Sequence, residues 1–563
     1  MRGTRTLTIA ATLGVLLLSS GCTGRGASAA PAGTNAPTTT TTTSPVADPD
    51  APKRAKDLDP QSYIDGYQSA AVDTASPVPL PVSVESKSPS TTIGAGATAV
   101  YPVPGPLDDN VFVDSGDSTF VSCASDAEST FGLDVDTGSY RVARTTLDMA
   151  TRPDPASIRV EEWVNAFAYG DPDPQGSDLG VVVESGQAPH TTDGTQLVRV
   201  GVTTRAIDDA SRPPANITFV VDTSGSMDIR ERLGTVKASL ALLVQHLNDG
   251  DTLSIVEYGS EARVLLEPTP VQDVDRIVAV IDAMRSEGST NMEAGLMLGY
   301  DQARAAFRPG GLNVVVLASD GVANVGSTDP TVLTEQITKA GEQGIHLVTV
   351  GYGMGNYNDF LMEQLADRGD GFYSYVDTLA EARRLFVSDL TPTLTVVAKD
   401  AKIQVRFDPA VVDTYRLIGY ENRMMDDEQF DNAAADAGEL GAGHRVSALY
   451  EVRLKAGATG RAAAEVALRW TSTEGGAQEL RRPVTLSSGA VPTATKLAAT
   501  VAGVAEVLRG NSVVTARGLT LDALLADAQE LRAANVNGAD ELVELILQAK
   551  DASPAPATTA VEG

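Results

Sequence analysis

The chain is poor in the residues that build sulfur- and imidazole-based sites. Its 563 residues include two cysteines, Cys22 and Cys123, and four histidines, His190, His246, His346 and His444. Cys22 lies directly behind an N-terminal apolar run, so Cys123 is alone in the body of the chain. No intramolecular disulfide is then available, and the fold must hold through its cores. The histidines are scattered at no ligand or triad spacing, and no Ser-centred nucleophile elbow is present. Cys123 has no histidine near it in sequence and reads as a small core residue. An enzyme is therefore not expected. Positive charge is scarce as well: 43 Lys and Arg stand against 74 Asp and Glu, a net charge of −31. That balance argues against nucleic acid and against electrostatic capture by an anionic membrane surface, and it favours cations. Beyond Leu18 no apolar run is long enough to cross a bilayer.

What the chain does have is organised around Asn216-Ile-Thr-Phe-Val-Val-Asp-Thr-Ser-Gly-Ser-Met227. Ile217 to Val221 form a continuous apolar, β-rich run, the pattern of a strand buried on both faces of a parallel sheet. It ends in Asp222-Thr-Ser-Gly-Ser226, one carboxylate and three hydroxyls in five residues. A helical pattern follows, with Leu233, Val236, Leu240, Leu243, Val244 and Leu247 at three- and four-residue steps. Strand, polar loop and helix is the geometry in which open α/β sheets bind ligands at the carboxyl ends of their strands. Asp222, Ser224 and Ser226 alternate and can converge from a tight loop. Such oxygen-only ligands suit a hard cation such as Mg²⁺, with Mn²⁺ or Ca²⁺ as alternatives. Helix capping would explain one of these residues, but it does not call for three.

Asp222-x-Ser224-x-Ser226 resembles the metal-ion-dependent adhesion site of von Willebrand factor type A domains. That site draws on two later loops. Thr290 in Gly288-Ser-Thr-Asn291 resembles the loop threonine, and Asp320 in Val314-Val-Val-Leu-Ala-Ser-Asp-Gly321 resembles the second aspartate. The resemblance implies a metal held by Asp222, Ser224, Ser226, Thr290 and Asp320, and a protein ligand that presents a carboxylate to it. The fold expected is α/β, a doubly wound, mostly parallel six-stranded sheet over 213–391. Thr252–Tyr258 and Arg263–Leu266 should form an antiparallel edge, and a single helix is expected over Leu379–Leu390.

The ends set the expected compartment. Arg2 and Arg5 precede the apolar run Leu7–Leu18, which reads as an export signal over 1–21. Ser20-Gly21-Cys22 resembles a bacterial lipoprotein cleavage site, which implies lipidation of Cys22 and a lipid-anchored protein on the extracytoplasmic face of the cell membrane. From 22 to 107 the chain is Thr-, Pro- and Ala-rich and reads as a tether without a core. A small α+β N-terminal domain is expected over 108–212, a β-rich domain over 392–492, a helical segment over 493–552 and a frayed tail over 553–563. This order resembles bacterial lipoproteins in which a small domain precedes the type A domain and a domain of unknown function follows it.

Two motifs compete with the metal loop. Asp134-Val-Asp-Thr-Gly-Ser139 contains an aspartic-protease-like Asp-Thr-Gly, but no second copy exists. Gly351-Tyr-Gly-Met-Gly355, with Asp377 after the next strand, imitates a dinucleotide fingerprint but lacks its last glycine. Nucleotide binding is not expected, and these glycines should form a tight loop near the metal face. The sequence thus points to a tethered binding protein that grips an acidic group of a protein partner through a divalent cation. The alternative is a structural or assembly factor of the cell envelope whose metal site is only structural.

Overall fold

The computed structural model describes residues 55–69, 112, 116–133, 136–321, 330–353, 359–432, 437–458, 460–473 and 475–553. The expected export signal, Cys22, and Asp134 with Val135 lie outside them.

Before the central domain the chain contributes α1 (Pro60–Asp65), β1 (Val121–Ser122), β2 (Glu128–Gly132), α2 (Gly138–Asp148), α3 (Val160–Asn165), β3 (Leu179–Gln187) and β4 (Gln196–Thr204). The central domain then forms β5 (Ala215–Asp222), α4 (Thr235–His246), β6 (Thr252–Tyr258), β7 (Ala262–Pro270), α5 (Val274–Ala283), α6 (Met292–Ala305), β8 (Leu312–Ser319), α7 (Pro330–Glu342), β9 (His346–Tyr352), α8 (Asp359–Arg368), β10 (Tyr373–Val376), α9 (Leu379–Arg383) and α10 (Leu390–Leu394).

Its sheet has six strands in the order β10-β9-β8-β5-β6-β7, parallel except for the β6–β7 pair. This is the expected doubly wound fold, with the antiparallel edge where the short connection required it. All eight residues of β5 are buried because alternate side chains feed two cores. Ile217, Phe219 and Val221 pack with Leu233, Val236 and Leu240 and with Ile277 and Ile281 of α5. Val220 faces the other way, toward Leu296 and Tyr300 of α6, Ile337 of α7 and Met362 of α8. The helix expected over Leu379–Leu390 is broken: a π-helical turn, Arg384–Ser388, separates α9 from α10.

After the domain come β11 (Val396–Phe407), β12 (Val412–Ile418), β13 (Leu440–Gly441), β14 (Arg445–Leu454), β15 (Ala462–Ser472), β16 (Gly476–Thr485), α11 (Thr493–Arg509), α12 (Ser512–Arg517), α13 (Leu521–Ala533) and α14 (Ala539–Asp551). The two flanks expected as separate domains, 108–212 and 392–492, interleave. One antiparallel sheet runs β1-β12-β14-β4-β3; a second runs β13-β11-β15-β16, with β2 paired to β11. Val198, Val200 and Val202 of β4 share a core with Ile403, Val405, Val466 and Leu468 from beyond the insertion. Neither flank has enough strands to cover its own apolar face, so each completes the other. The helices do likewise: Tyr140, Trp163 and Phe167 pack against Val501, Leu542 and Ile546. Ser553, placed in the frayed tail, pairs with Thr151. Among the described residues no helix is long and apolar enough to cross a membrane.

The stretch 22–107, read as a coreless tether, contains an exception. Ala55–Asp57 is a 3-10 turn and α1 follows it, with Pro60 at its first position and the Asp59 carboxylate accepting from the Gln61 N–H at 3.2 Å. This strap lies along α4. Gln245 donates to the Leu58 carbonyl at 2.7 Å, Tyr63 to Asp282 at 2.9 Å, and Leu58, Tyr63 and Tyr67 pack on the α4 core. Two tyrosines in an otherwise Pro/Thr/Ala-rich stretch supply the apolar area that holds it down.

Candidate functional site

The site lies at the carboxyl edge of the sheet, where β5, β6 and β8 end beside one another. Asp222 closes β5, Tyr258 closes β6, and Asp320 follows Ser319 at the end of β8. Asp222 and Asp320 are both 0% exposed. Asp222 Oδ1 accepts from the Ser224 N–H at 2.9 Å, and its Oδ2 accepts from Tyr258 Oη at 3.2 Å and Ser319 Oγ at 3.0 Å. Burial pushes the Asp222 carboxyl up to about 6, with the charge of Asp320 adding to it, against the hydrogen bonds from Ser224 and Ser319 that lower it.

The alternation in the motif does bring its hydroxyls together: Ser224 Oγ and Ser226 Oγ are 3.0 Å apart. The loop that carries Thr290 is laid against the Asp222–Ser226 loop by three contacts. Gly225 N–H donates to the Gly288 carbonyl at 3.1 Å, Glu287 N–H to the Thr223 carbonyl at 2.6 Å, and Ser286 Oγ to the Ser224 carbonyl at 2.6 Å. Gly288 adopts φ +82°, and a Cβ there would stand 2.4 Å from Ser260 Oγ, so the close approach needs glycine. Thr290 follows within this loop and is buried at 5% exposure. Next to it Asn291 caps α6, accepting from the Ala294 N–H at 3.1 Å. The structure therefore gathers the elements that carry all five candidate residues.

Sequence reasoning missed four neighbours. Tyr258 and Ser319 hold Asp222, Ser286 holds the loop, and Arg232 reaches Asp320, Nη1 to Oδ2 at 2.6 Å. Ser319 was within reach, since it adjoins Asp320 at a strand end. Arg232 was not, because its aim depends on the π-helical turn Arg230–Gly234 ahead of α4.

The donor set fits a hard cation. Burial and the charge of Asp320 raise the cost of ionising Asp222, and hydroxyls surround the two buried carboxylates without adding charge. Among the described residues no group of three or more His, Cys, Asp or Glu side chains is placed to hold a metal, so a soft or imidazole-rich centre has no candidate there.

The competing motifs have structural work instead. Asp377 is bound by Arg144 of α2 at 2.7 Å, and Asp136 accepts from the Tyr373 N–H at 3.1 Å; both tie the central domain to its flank. Gly353 lies against Arg232, while Met354 and Gly355 of the glycine run lie outside the described residues. Desolvation and nearby cations hold His346 and His444 down to about 4, and His246 Nδ1 lies 2.8 Å from the Leu242 carbonyl. Burial pushes the Cys123 thiol up to about 11, far from a thiolate nucleophile.

Comparison with known proteins assigns families to three parts of the chain. The family described as von Willebrand factor type A domain matches residues 216–387, and one described as von Willebrand factor matches 106–199. A third, described as the C-terminal part of the uncharacterized protein YfbK, matches 392–552. The chain thus carries a type A domain followed by a YfbK-type C-terminal domain. It is 40% identical over 346 residues to the uncharacterized protein YfbK of Escherichia coli (strain K12), covering 60% of each chain. It is 27% identical over 197 residues to inter-alpha-trypsin inhibitor heavy chain H3 of Homo sapiens, covering 33% of this chain and 22% of that one. Among solved structures it resembles a von Willebrand factor type A protein from Catenulispora acidiphila, at 16% identity and TM-score 0.37 over 66% of this chain and 87% of that one.

Proposed function

We propose that the protein is a lipid-anchored extracytoplasmic binding module whose type A domain uses a divalent cation to take hold of a carboxylate on a protein partner. The observation that carries this is the pair of buried acids, Asp222 and Asp320, ringed by hydroxyls at the sheet's carboxyl edge. Ser224, Ser226 and Thr290 would hold the cation through hydroxyl oxygens, and Asp222 and Asp320 directly or through water. Bound there, Mg²⁺ or Mn²⁺ supplies an electrophilic point with charge left over for one further carboxylate. The chain's own residues do the rest. Ser319 and Tyr258 fix the rotamer of Asp222, and the Gly225–Gly288 contact holds the threonine loop over the serines. Type A domains are interaction modules, which supports a protein partner over a small substrate. Anchoring through Cys22 and a surface location complete the reading.

A second reading has its own support: a cation would relieve the Asp222–Asp320 repulsion and so stabilise the fold, which suits a structural or assembly role in the envelope. Capture of partners from envelope extracts by the immobilised protein, with and without chelator, separates the two. Chelator-sensitive capture of one defined partner supports the binding reading. A melting temperature that drops with chelator while capture does not change supports the structural one.

A further inference from the structure

Among the described residues, Asp320 has an internal cation beside it and Asp222 has none. Asp222 is met there by neutral donors, the Ser224 N–H and the Tyr258 and Ser319 hydroxyls. Asp320 is met by Arg232, whose Nη1 also donates to the Ser226 carbonyl at 2.9 Å. Both side chains of this ion pair are withdrawn from water, at 7% and 0% exposure, so the pairing is not a solvated surface contact. The backbone is arranged for it on two sides. Arg232 leaves a π-helical turn, Arg230–Gly234, a register that re-aims a side chain relative to an ordinary helix. Opposite, Gly353 at φ +72° gives way to the side chain; a Cβ at that position would stand 2.5 Å from Arg232 Cγ.

We propose that Arg232 is a resident counter-ion of the metal site, one that neutralises Asp320 in the metal-free protein and competes with the cation for it. The proposal rests on the reading of this edge as a cation site. With the guanidinium in place the two carboxylates present one net negative charge instead of two, and cation affinity follows the ligand charge count. The same guanidinium holds the Ser226 carbonyl, so the loop that carries Ser226 is tied to the metal-free arrangement as well. Loading the site then requires Asp320 to be shared or released by Arg232, and the site is tuned for exchange of its cation over permanent retention.

The test is titration calorimetry of the full chain with MgCl₂ and MnCl₂, wild type against Arg232→Met, with metal-free thermal melting as a second readout. The expected result is an Mg²⁺ Kd lowered about tenfold or more in the variant. Its metal-free melting temperature should be lower than that of wild type, a deficit that saturating Mg²⁺ closes. A variant that binds Mg²⁺ no better than wild type overturns the proposal while leaving the cation site standing. If neither protein binds either ion, both the proposal and the cation site fall. Should Arg232→Met not fold, Arg232→Gln takes its place, since its neutral amide can still donate to a carbonyl while removing the charge that neutralises Asp320. The expected Kd for Arg232→Gln is below the wild-type value, and an unchanged Kd overturns the proposal.

Discussion

Tyr67 donates its phenol to Asp228 at 2.8 Å, and two residues on, Ser69 Oγ donates to the Asp228 carbonyl at 3.0 Å. Asp228 lies two positions past Ser226, so a segment far upstream in sequence clamps the end of the loop that carries the candidate metal ligands. The clamp is side-chain chemistry on a half-buried partner, and losing one such hydrogen bond costs about 1 kcal/mol. Tyr67→Phe should lower stability by that amount. Deleting 55–69 should cost more, because it also bares the α4 surface under Leu58, Tyr63 and Tyr67. Thermal melting of the two variants checks the order.

The central domain carries its own sheet and both helix layers, so 213–391 should melt cooperatively as a fragment. It should do so roughly 5 °C or more below the full chain. In the full chain Asp377 is held by Arg144 and Glu381 by Arg141, both arginines from α2, and Glu363 and Asp367 are held by Arg423. The fragment loses all of these partners together with the strap. Calorimetry on fragment and full chain decides it; a fragment without a cooperative transition would mean that the flanks complete its core.

That dependence marks where sequence reading ran out. β5 and β8 were legible because a buried parallel strand is a continuous apolar run, and α4 because its apolar steps recur at helical spacing; both signals are local. The interleaving of the flanks is not local. Val200 of β4 opposes Ala448 of β14, and nothing in either strand names the other. β16 escaped notice because it is an edge strand, largely exposed, with Arg481, Arg482 and Pro483 where alternation would be sought. At the site the ligand types were legible from loop chemistry. Tyr258 and Arg232 were not, since their roles arise from strand register and from a π turn.

Stability should fall on acidification in a window set by two histidines. His346 and His444 stand at about 4 in the folded protein against 6.5 ordinarily, lowered by desolvation and then by Lys399 and Arg384 respectively. Between those values the unfolded chain binds more protons, so this contribution is complete above pH 6.5 and lost as pH falls toward 4. Asp222 acts in the opposite sense, since a folded value above the ordinary one is relieved as pH falls through 6 toward 3.8. Urea melts at several pH values should therefore show a shallower acid loss for His346→Gln/His444→Gln than for wild type. An unchanged slope would remove the histidines from the account.

Anchoring through Cys22 predicts a change of fraction. Cys22→Ala should move the protein out of the detergent-soluble membrane fraction into the medium or periplasm, or leave it unprocessed. Fractionation with N-terminal sequencing reads this directly; a cleaved variant that stays with the membrane would contradict a lipid anchor at this residue.

The sharpest outcome is expected at Asp222, where stability and metal binding pull in opposite directions. Without metal, its buried charge is opposed by Asp320 and, among the described residues, compensated by neutral donors. Asp222→Asn removes that charge while keeping an oxygen for the Ser224 N–H, though the amide nitrogen that replaces Oδ2 accepts from neither Tyr258 nor Ser319. The metal-free variant should therefore be more stable than wild type at pH 7, by about 1 kcal/mol after the two lost hydrogen bonds are set against the relieved repulsion. Saturating Mg²⁺ should reverse the order, because a site with one carboxylate instead of two retains the cation poorly and gains little from it. Thr290→Ala should weaken partner capture more than Mg²⁺ binding. Paired melts of wild type and Asp222→Asn, with chelator and with Mg²⁺, read the reversal. A variant less stable in both conditions would show that Asp222 is held by the fold's own hydrogen bonds and owes nothing to a cation.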